Sequence, residues 1–131
     1  MIKYNHETGL MYIHLMAGGP KIQKRPSRRV LFRSVAKANK DQIVGYEIEN
    51  ASENMDYVLN KLGLSRKQKL AVGMCFIRER QKKTQKDFST IINVSESTYK
   101  SIEKAEHNIS FDTLDIIYNQ FPKEEILHEI F

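Results

Sequence analysis

Thr84-Gln85-Lys86-Asp87-Phe88, followed by Asn93-Val94-Ser95, Thr98-Tyr99 and Ile102-Glu103, decides how this chain is read. The run spells two short helices joined by a tight turn. Thr84 caps the first helix, and Asp87 three residues on gives it a capping-box-like partner. Phe88, Ile91 and Ile92 supply its apolar stripe. Asn93 stands where the chain must turn through a left-handed conformation, which Asn tolerates better than most residues. Ser95 caps the second helix, with Val94 and Tyr99 at the N′ and N4 positions of a hydrophobic staple. If Tyr99 and Ile102 face inward, Ser95, Glu96, Ser97, Lys100, Ser101 and Lys104 are left outside. That row is short, polar and able to hydrogen-bond, as contact with the edges of DNA bases requires.

The pattern is a helix-turn-helix signal, and residues from about 68 to 121 resemble the Cro/cI-type, XRE-like helix-turn-helix family. Members carry a Thr-Gln pair opening helix 2, an apolar residue and Ser at the turn, and an Ile and Glu closing helix 3. Here these are Thr84-Gln85, Val94-Ser95 and Ile102-Glu103, with Arg78 six residues before Thr84. The resemblance implies a structural ion pair between Arg78 and Glu103. It also implies DNA recognition by helix 3 in the major groove. Ser95, Glu96, Ser97, Lys100 and Ser101 are then the base-reading candidates. Thr84, Gln85, Lys82, Lys83, Lys86, Thr98 and Lys104 are the phosphate-contacting candidates, which set affinity and salt dependence rather than sequence. Two departures stand out. The family usually has Gly and an apolar residue before the Thr, where this chain has Lys82-Lys83. It usually has Gly after helix 3, where this chain has Ala105-Glu106-His107-Asn108, so a different exit from that helix is expected.

Charge agrees with an anionic partner. The 131 residues carry a formal net charge of +5. Lys21, Lys24, Arg25, Arg28, Arg29, Arg33, Lys37 and Lys40 lie in a stretch without a single acid. Arg66, Lys67, Lys69, Arg78, Arg80, Lys82, Lys83 and Lys86 form a second block, interrupted by Glu79 alone. The two blocks are candidates for one DNA-facing side. For Lys21–Lys40 three readings stand open: a solvated face, a phosphate-contacting wing, or a surface for an acidic protein. From Asp112 onward the chain is acidic.

The first fifty residues have another character. Met11, Ile13 and Leu15 alternate with Tyr12 and His14, and Val44, Tyr46 and Ile48 with Gly45, Glu47 and Glu49, a period of two that predicts strands. Ile22–Arg25 and Val30–Val35 are further strands. Turns fall at Gly18-Gly19-Pro20, at Pro26-Ser27 and at Asn39-Lys40-Asp41. Glu47 and Glu49 are read as the solvent side of an edge strand. A helix capped by Ser52 and ended by Gly63 carries Met55, Val58, Leu59 and Leu62 to cover the sheet. Ser65 and Gln68 open the next helix as a capping box. Ser110 caps a later one, and Pro122 is placed in the first turn of a short last helix with Ile126, Leu127 and Ile130. The fold class is α+β, with a small antiparallel sheet domain in residues 1–63 and a helix-turn-helix domain in 64–131. Residues 2–15 and 44–52 resemble a small bacterial β-domain family of unassigned function, whose members end in a Val-Gly-Ile-Glu-Ile-Leu-Asn-Ala-Ser-like run.

Enzyme chemistry finds little support. His6, His14, His107 and His128 have no His or Cys partner at metal-ligand spacing. Cys75, the sole cysteine, lies beside Met74 on an apolar helix face and reads as a structural thiol. Gly18-Gly19 is followed by Pro rather than by the Lys-Ser or Lys-Thr of a phosphate loop. Neither cofactor nor metal is called for. Without a signal peptide or membrane-length apolar run, the expected location is the cytoplasm. The expected function is sequence-specific binding of double-stranded DNA by a transcriptional repressor acting as a homodimer, with its own operon among the candidate targets and the sheet domain mediating assembly or partner binding. The rival is a protein-binding inhibitor of antitoxin or phage anti-defence type whose helix-turn-helix represses its own operon.

Overall fold

The computed structural model describes residues 1–16, 21–24, 32–37, 39 and 42–130. An antiparallel sheet is followed by helices, the α+β arrangement expected. The chain divides into two compact units, Met1–Met55 and Asp56–Phe131.

The first unit is built on strands β1 (Ile2–Asn5), β2 (Leu10–His14), β3 (Lys21–Lys24), β4 (Phe32–Ala36) and β5 (Ile43–Ile48). They lie in the order β1-β2-β5-β4-β3, every neighbouring pair antiparallel. Alternation sets the faces: Met11, Ile13, Val44, Tyr46 and Ile48 are buried, while Tyr12 and His14 are exposed. In that strand order β5 is the centre of the sheet, and Glu47 sits opposite Tyr12 in β2 and Phe32 in β4. This corrects the edge-strand reading of Glu47. Gly45 lets β2 come close, since a Cβ there would stand 2.5 Å from the Ile13 carbonyl oxygen. Strand β1 has too few residues to show a period. It is fixed by its turn, where Asn5 Oδ1 accepts from the Glu7 and Thr8 N–H groups and Gly9 takes a φ of 76°. The expected turns at 18–20 and 26–27 lie outside the described residues. Of the third, Asn39 is described, and its carbonyl accepts from the Gln42 N–H at 3.0 Å.

Helix α1 (Ala51–Lys61) begins one residue before Ser52, so Ser52 lies in its first turn instead of capping it. Asn50 precedes the helix with a φ of 50°. Gly63, at φ 70°, follows the helix as expected of a C′-type residue.

The second unit carries α2 (Arg66–Arg80), α3 (Gln85–Ile91), α4 (Glu96–Glu103), α5 (Phe111–Gln120) and α6 (Ile126–Ile130). Ser65 and Gln68 form both halves of a capping box, at 3.2 and 2.8 Å. Thr84, Ser95 and Ser110 cap α3, α4 and α5 with side-chain oxygens that accept from Asp87, Thr98 and Thr113 N–H groups. Helix α6 starts at Ile126, so Pro122 belongs to the loop before it and not to its first turn. The core gathers Met74, Phe76, Ile77, Phe88, Ile92, Tyr99, Ile102 and Ile117, all at most 1% exposed. Phe88 joins three segments: its ring meets Tyr99 edge-on at 5.3 Å and stacks on Phe121 at 5.2 Å. Helices α2 and α6 approach closely at Gly73, where a Cβ would fall 2.1 Å from Ile130 Cδ1.

Candidate nucleic-acid interface

Three successive helices end in the same hydrogen-bonded turn, and these turns set the geometry of the site. After α2, Lys82 N–H donates to the Glu79 carbonyl and Lys83 N–H to the Arg78 carbonyl. After α3, Asn93 donates to Thr90 and Val94 to Ser89; after α4, Ala105 donates to Ile102 and Glu106 to Ser101. Each is a Schellman pair, and each puts its C′ residue in the left-handed region, with φ of 57° at Lys82, 59° at Asn93 and 61° at Ala105. Asn93 is the residue that the sequence marked for this conformation. Lys82 and Ala105 occupy the two places where the family usually has glycine. The expectation of a different exit from the last of these helices is therefore corrected. The exit is a left-handed turn closed by the same pair of bonds, and Ala105 adopts it against its steric preference.

Helix α4 is held from behind by a buried ion pair. Arg78 and Glu103 are 8% and 4% exposed. Arg78 Nε donates to Glu103 Oε2 at 2.7 Å and Nη2 to Oε1 at 2.9 Å, the bidentate fork that guanidinium and carboxylate favour. The remaining guanidinium nitrogen donates to the Lys83 carbonyl at 2.9 Å and meets Glu79 Oε1 at 3.0 Å. Gln85 Nε2 reaches Glu103 Oε1 at 3.3 Å. One guanidinium thus ties α2, the α2–α3 turn and the end of α4 together. Burial alone would lower the Arg78 pKa, but hydrogen bonding and charge from Glu103 outweigh it and hold the guanidinium above its ordinary range. Burial, with Glu103 nearby, pushes the Cys75 thiol up to about 12 and Tyr99 above the usual phenol range. The Tyr99 hydroxyl donates to the Met74 carbonyl at 3.4 Å.

The outward side of α4 carries Ser95, Glu96, Ser97, Lys100 and Lys104 exposed, with Thr98 and Ser101 half-buried. Lys82, Lys83, Thr84 and Lys86 are exposed at the start of α3, and Gln85 is half-buried. Part of this surface is already engaged within the chain. Ser95 Oγ accepts from Thr98 N–H at 3.1 Å and donates to Thr98 Oγ1 at 2.8 Å. Lys100 Nζ lies 3.3 Å from Glu96 Oε1, one helical turn back. Ser97 Oγ lies 3.3 Å from Ser95 Oγ. The Glu96–Lys100 pair is weakly held, since an exposed i,i+4 pair is worth only about 0.3–0.5 kcal/mol.

The second basic block is smaller as a surface than as a sequence. Arg78 is buried in the fork, and Arg80 is engaged by Glu124 while its guanidinium lies 4.8 Å from the centre of the Phe76 ring. Arg66 and Lys67 start α2, a helix length of about 22 Å from its far end at 1.5 Å per residue. Of the first block, Lys37 is exposed, and Arg25, Arg28, Arg29 and Lys40 lie outside the described residues. Sequence reasoning missed Glu79 as a second acid on Arg78, the Lys83 carbonyl as its acceptor, and Gly73 as the seat of α6. Only Gly73 left a mark in the sequence, a glycine inside a helical stripe.

Among the described residues, no helix is long and apolar enough to cross a membrane. Neither curated proteins nor solved structures give a match to the chain. Residues 76–124 match the model of a family described as helix-turn-helix, a span that runs from the second half of α2 past the end of α5. With its capped helices, its left-handed turn and its Arg78–Glu103 brace, this segment is a Cro/cI-type, XRE-like helix-turn-helix, the fold of DNA-binding transcription regulators.

Proposed function

We propose that the protein is a cytoplasmic, sequence-specific repressor that reads paired half-sites as a homodimer. Residues 64–131 supply the reader and residues 1–63 a partner-binding part. The observation that carries this reading is the two-sided character of α4. Its inner side is fixed by Tyr99, Ile102 and the Glu103 fork, and its outer side is a polar row flanked by exposed lysines. A rigidly braced helix with short polar side chains at its N-terminal end suits direct readout of base edges. In this reading Glu96 accepts from a cytosine amino group, and Lys100 reaches guanine acceptors or a phosphate. Ser97 and Ser101 add weaker discrimination, and Lys82, Lys83, Lys86 and Lys104 contact phosphates. One reader offers few base contacts, so specificity comes from two of them.

Selection of bound fragments from a genomic library, followed by footprinting, tests this directly. The expected product is a short inverted repeat protected at two half-sites about one helical turn apart. Recovery of no preferred fragment would contradict it. A site next to the protein's own coding sequence would support autoregulation.

The rival reading, a protein-binding inhibitor that also represses its own operon, draws on one feature of the sheet. Tyr12 is 43% exposed on its outer face, beside Lys3, His14 and Met1, around a recess of about 510 Å³. Aromatic side chains and Met are enriched in protein-binding surfaces. Co-purification with an acidic protein, lost on Tyr12→Ala while DNA binding persists, would favour this reading.

A further inference from the structure

Of the four exposed large apolar side chains among the described residues, Met1, Tyr12 and Met16 belong to one face of the sheet unit. Alternation puts Tyr12, His14 and Met16 on the outer side of β2 and its continuation. The Met1 amino group donates to the His14 carbonyl and the His14 N–H to the Met1 carbonyl, both at 2.8 Å, so Met1 stands opposite His14. Register then draws two rows across β1, β2 and β5. One reads Met1–His14–Gly45 and the other Lys3–Tyr12–Glu47. The second row has an exposed cation at one end, an aromatic ring in the middle and a half-buried carboxylate at the other end. Two strand spacings hold Lys3 and Glu47 about 10 Å apart with the Tyr12 position between them. Among the described residues neither joins an ion pair. The first row has a long apolar side chain at one end and a glycine, with none, at the other.

These rows complement themselves. A two-fold axis lying between two such sheets and parallel to β2 reverses the order of each row and keeps the rows in step. Tyr12 and His14 then meet their own copies on the axis. Lys3 of each chain faces Glu47 of the other, and Met1 of each faces the gap left by Gly45. Residue i meets j and j meets i, as an isologous contact demands. We infer that this outer face is where a second copy of the chain docks, sheet on sheet, at the roughly 10 Å spacing that stacked sheets adopt. The inference rests on the homodimer reading above and gives the dimer contact to the sheet unit. Charge favours a copy over the acidic partner of the rival reading, because Glu47 at the end of the row would repel an acidic surface.

Sedimentation of the full chain over a wide concentration range tests the surface. The wild-type protein is expected to dimerise, and Tyr12→Lys to weaken the dimer by roughly tenfold or more, as loss of a central aromatic anchor does. Lys3→Glu and Glu47→Lys each set like charges opposite one another at both ends of the row, so each chain alone should dimerise several-fold more weakly. An equimolar mixture of those two chains should recover the association, because both contacts are then of opposite sign. A loss of fold would not produce that recovery, so the mixture decides the matter even if Tyr12→Lys fails to fold. A wild-type chain that stays monomeric, a folded Tyr12→Lys chain that dimerises undiminished, or a mixture no stronger than its components would overturn the inference. So would a monomeric chain that captures an acidic protein through Tyr12, which would give this face to the rival reading. Binding of the wild-type chain to a random-sequence duplex is read separately. Its absence would count against the DNA-reading proposal, while the dimer surface is still decided by sedimentation.

Discussion

The Arg78 guanidinium and the Glu103 carboxylate, 25 residues apart in sequence, meet in two hydrogen bonds of 2.7 and 2.9 Å inside the helical unit. Neither group can be withdrawn alone without leaving a buried charge behind. Arg78→Ala or Glu103→Ala should therefore destabilise the helical unit by about 3–5 kcal/mol. The apolar pair Arg78→Met with Glu103→Leu should cost far less than either single change, because no charge is left unpaired. Denaturant unfolding of the four proteins checks this. Single substitutions as mild as surface changes would contradict the structure.

Lys82 and Ala105 hold left-handed backbone at φ 57° and 61° without being glycine. An L-residue in that region costs roughly 1–2 kcal/mol, partly offset by the greater freedom of glycine in the unfolded chain. Ala105→Gly should thus raise stability by about 0.5–1 kcal/mol and leave DNA affinity unchanged. Lys82→Gly should stabilise similarly but weaken DNA binding, since it also removes a cation. Thermal melts and a duplex titration on the same samples separate the two effects.

Cys75 ties stability to alkaline pH. Its thiol is raised from 9.0 to about 12 in the fold, so the folded state retains the proton that the unfolded chain releases. The sign follows: this contribution is fully present below pH 9 and is lost as pH climbs from 9 toward 12, at up to about 1.4 kcal/mol per pH unit. Tyr99, also raised, steepens the fall above the ordinary phenol range. Cys75→Ala should flatten the slope between pH 9 and 10 relative to wild type. The native thiol should also resist alkylation at pH 8, and reaction at the rate of an unfolded control would contradict its burial.

The caps made the reader legible. Ser65, Thr84, Ser95 and Ser110 each precede an apolar stripe, and Asn93 marks a left-handed turn that few residues accept, so the sequence alone places α2 to α5. What stayed hidden was governed by backbone and distant packing. Lys82 and Ala105 carry no left-handed preference, so the turns they make are imposed by the helices on either side. Strand β1 is too short to show a period and is defined by its pairing with β2. The central place of β5 depends on strand order, which alternation cannot reveal. Ser52 precedes an apolar stripe as a cap does, but the helix begins one residue earlier, at Ala51, after the left-handed Asn50. The fork was suggested by the family resemblance. Of its extra partners, Glu79 is the next residue along α2, and the Lys83 carbonyl is brought in by the turn after α2, which the sequence did not announce.

Base reading by α4 is the central claim, and ranking of a duplex library by the wild-type chain, Glu96→Ala and Lys86→Ala tests it most directly. Lys86→Ala should weaken all sequences about equally and reduce the slope of log affinity against log salt by about 0.9, one phosphate contact. Glu96→Ala should reorder the preferred sequences at one position, with about 1–3 kcal/mol at stake there. If both variants keep the wild-type ranking, α4 is not reading bases through Glu96. If the wild-type chain binds every sequence alike, the protein is not the sequence-specific reader proposed.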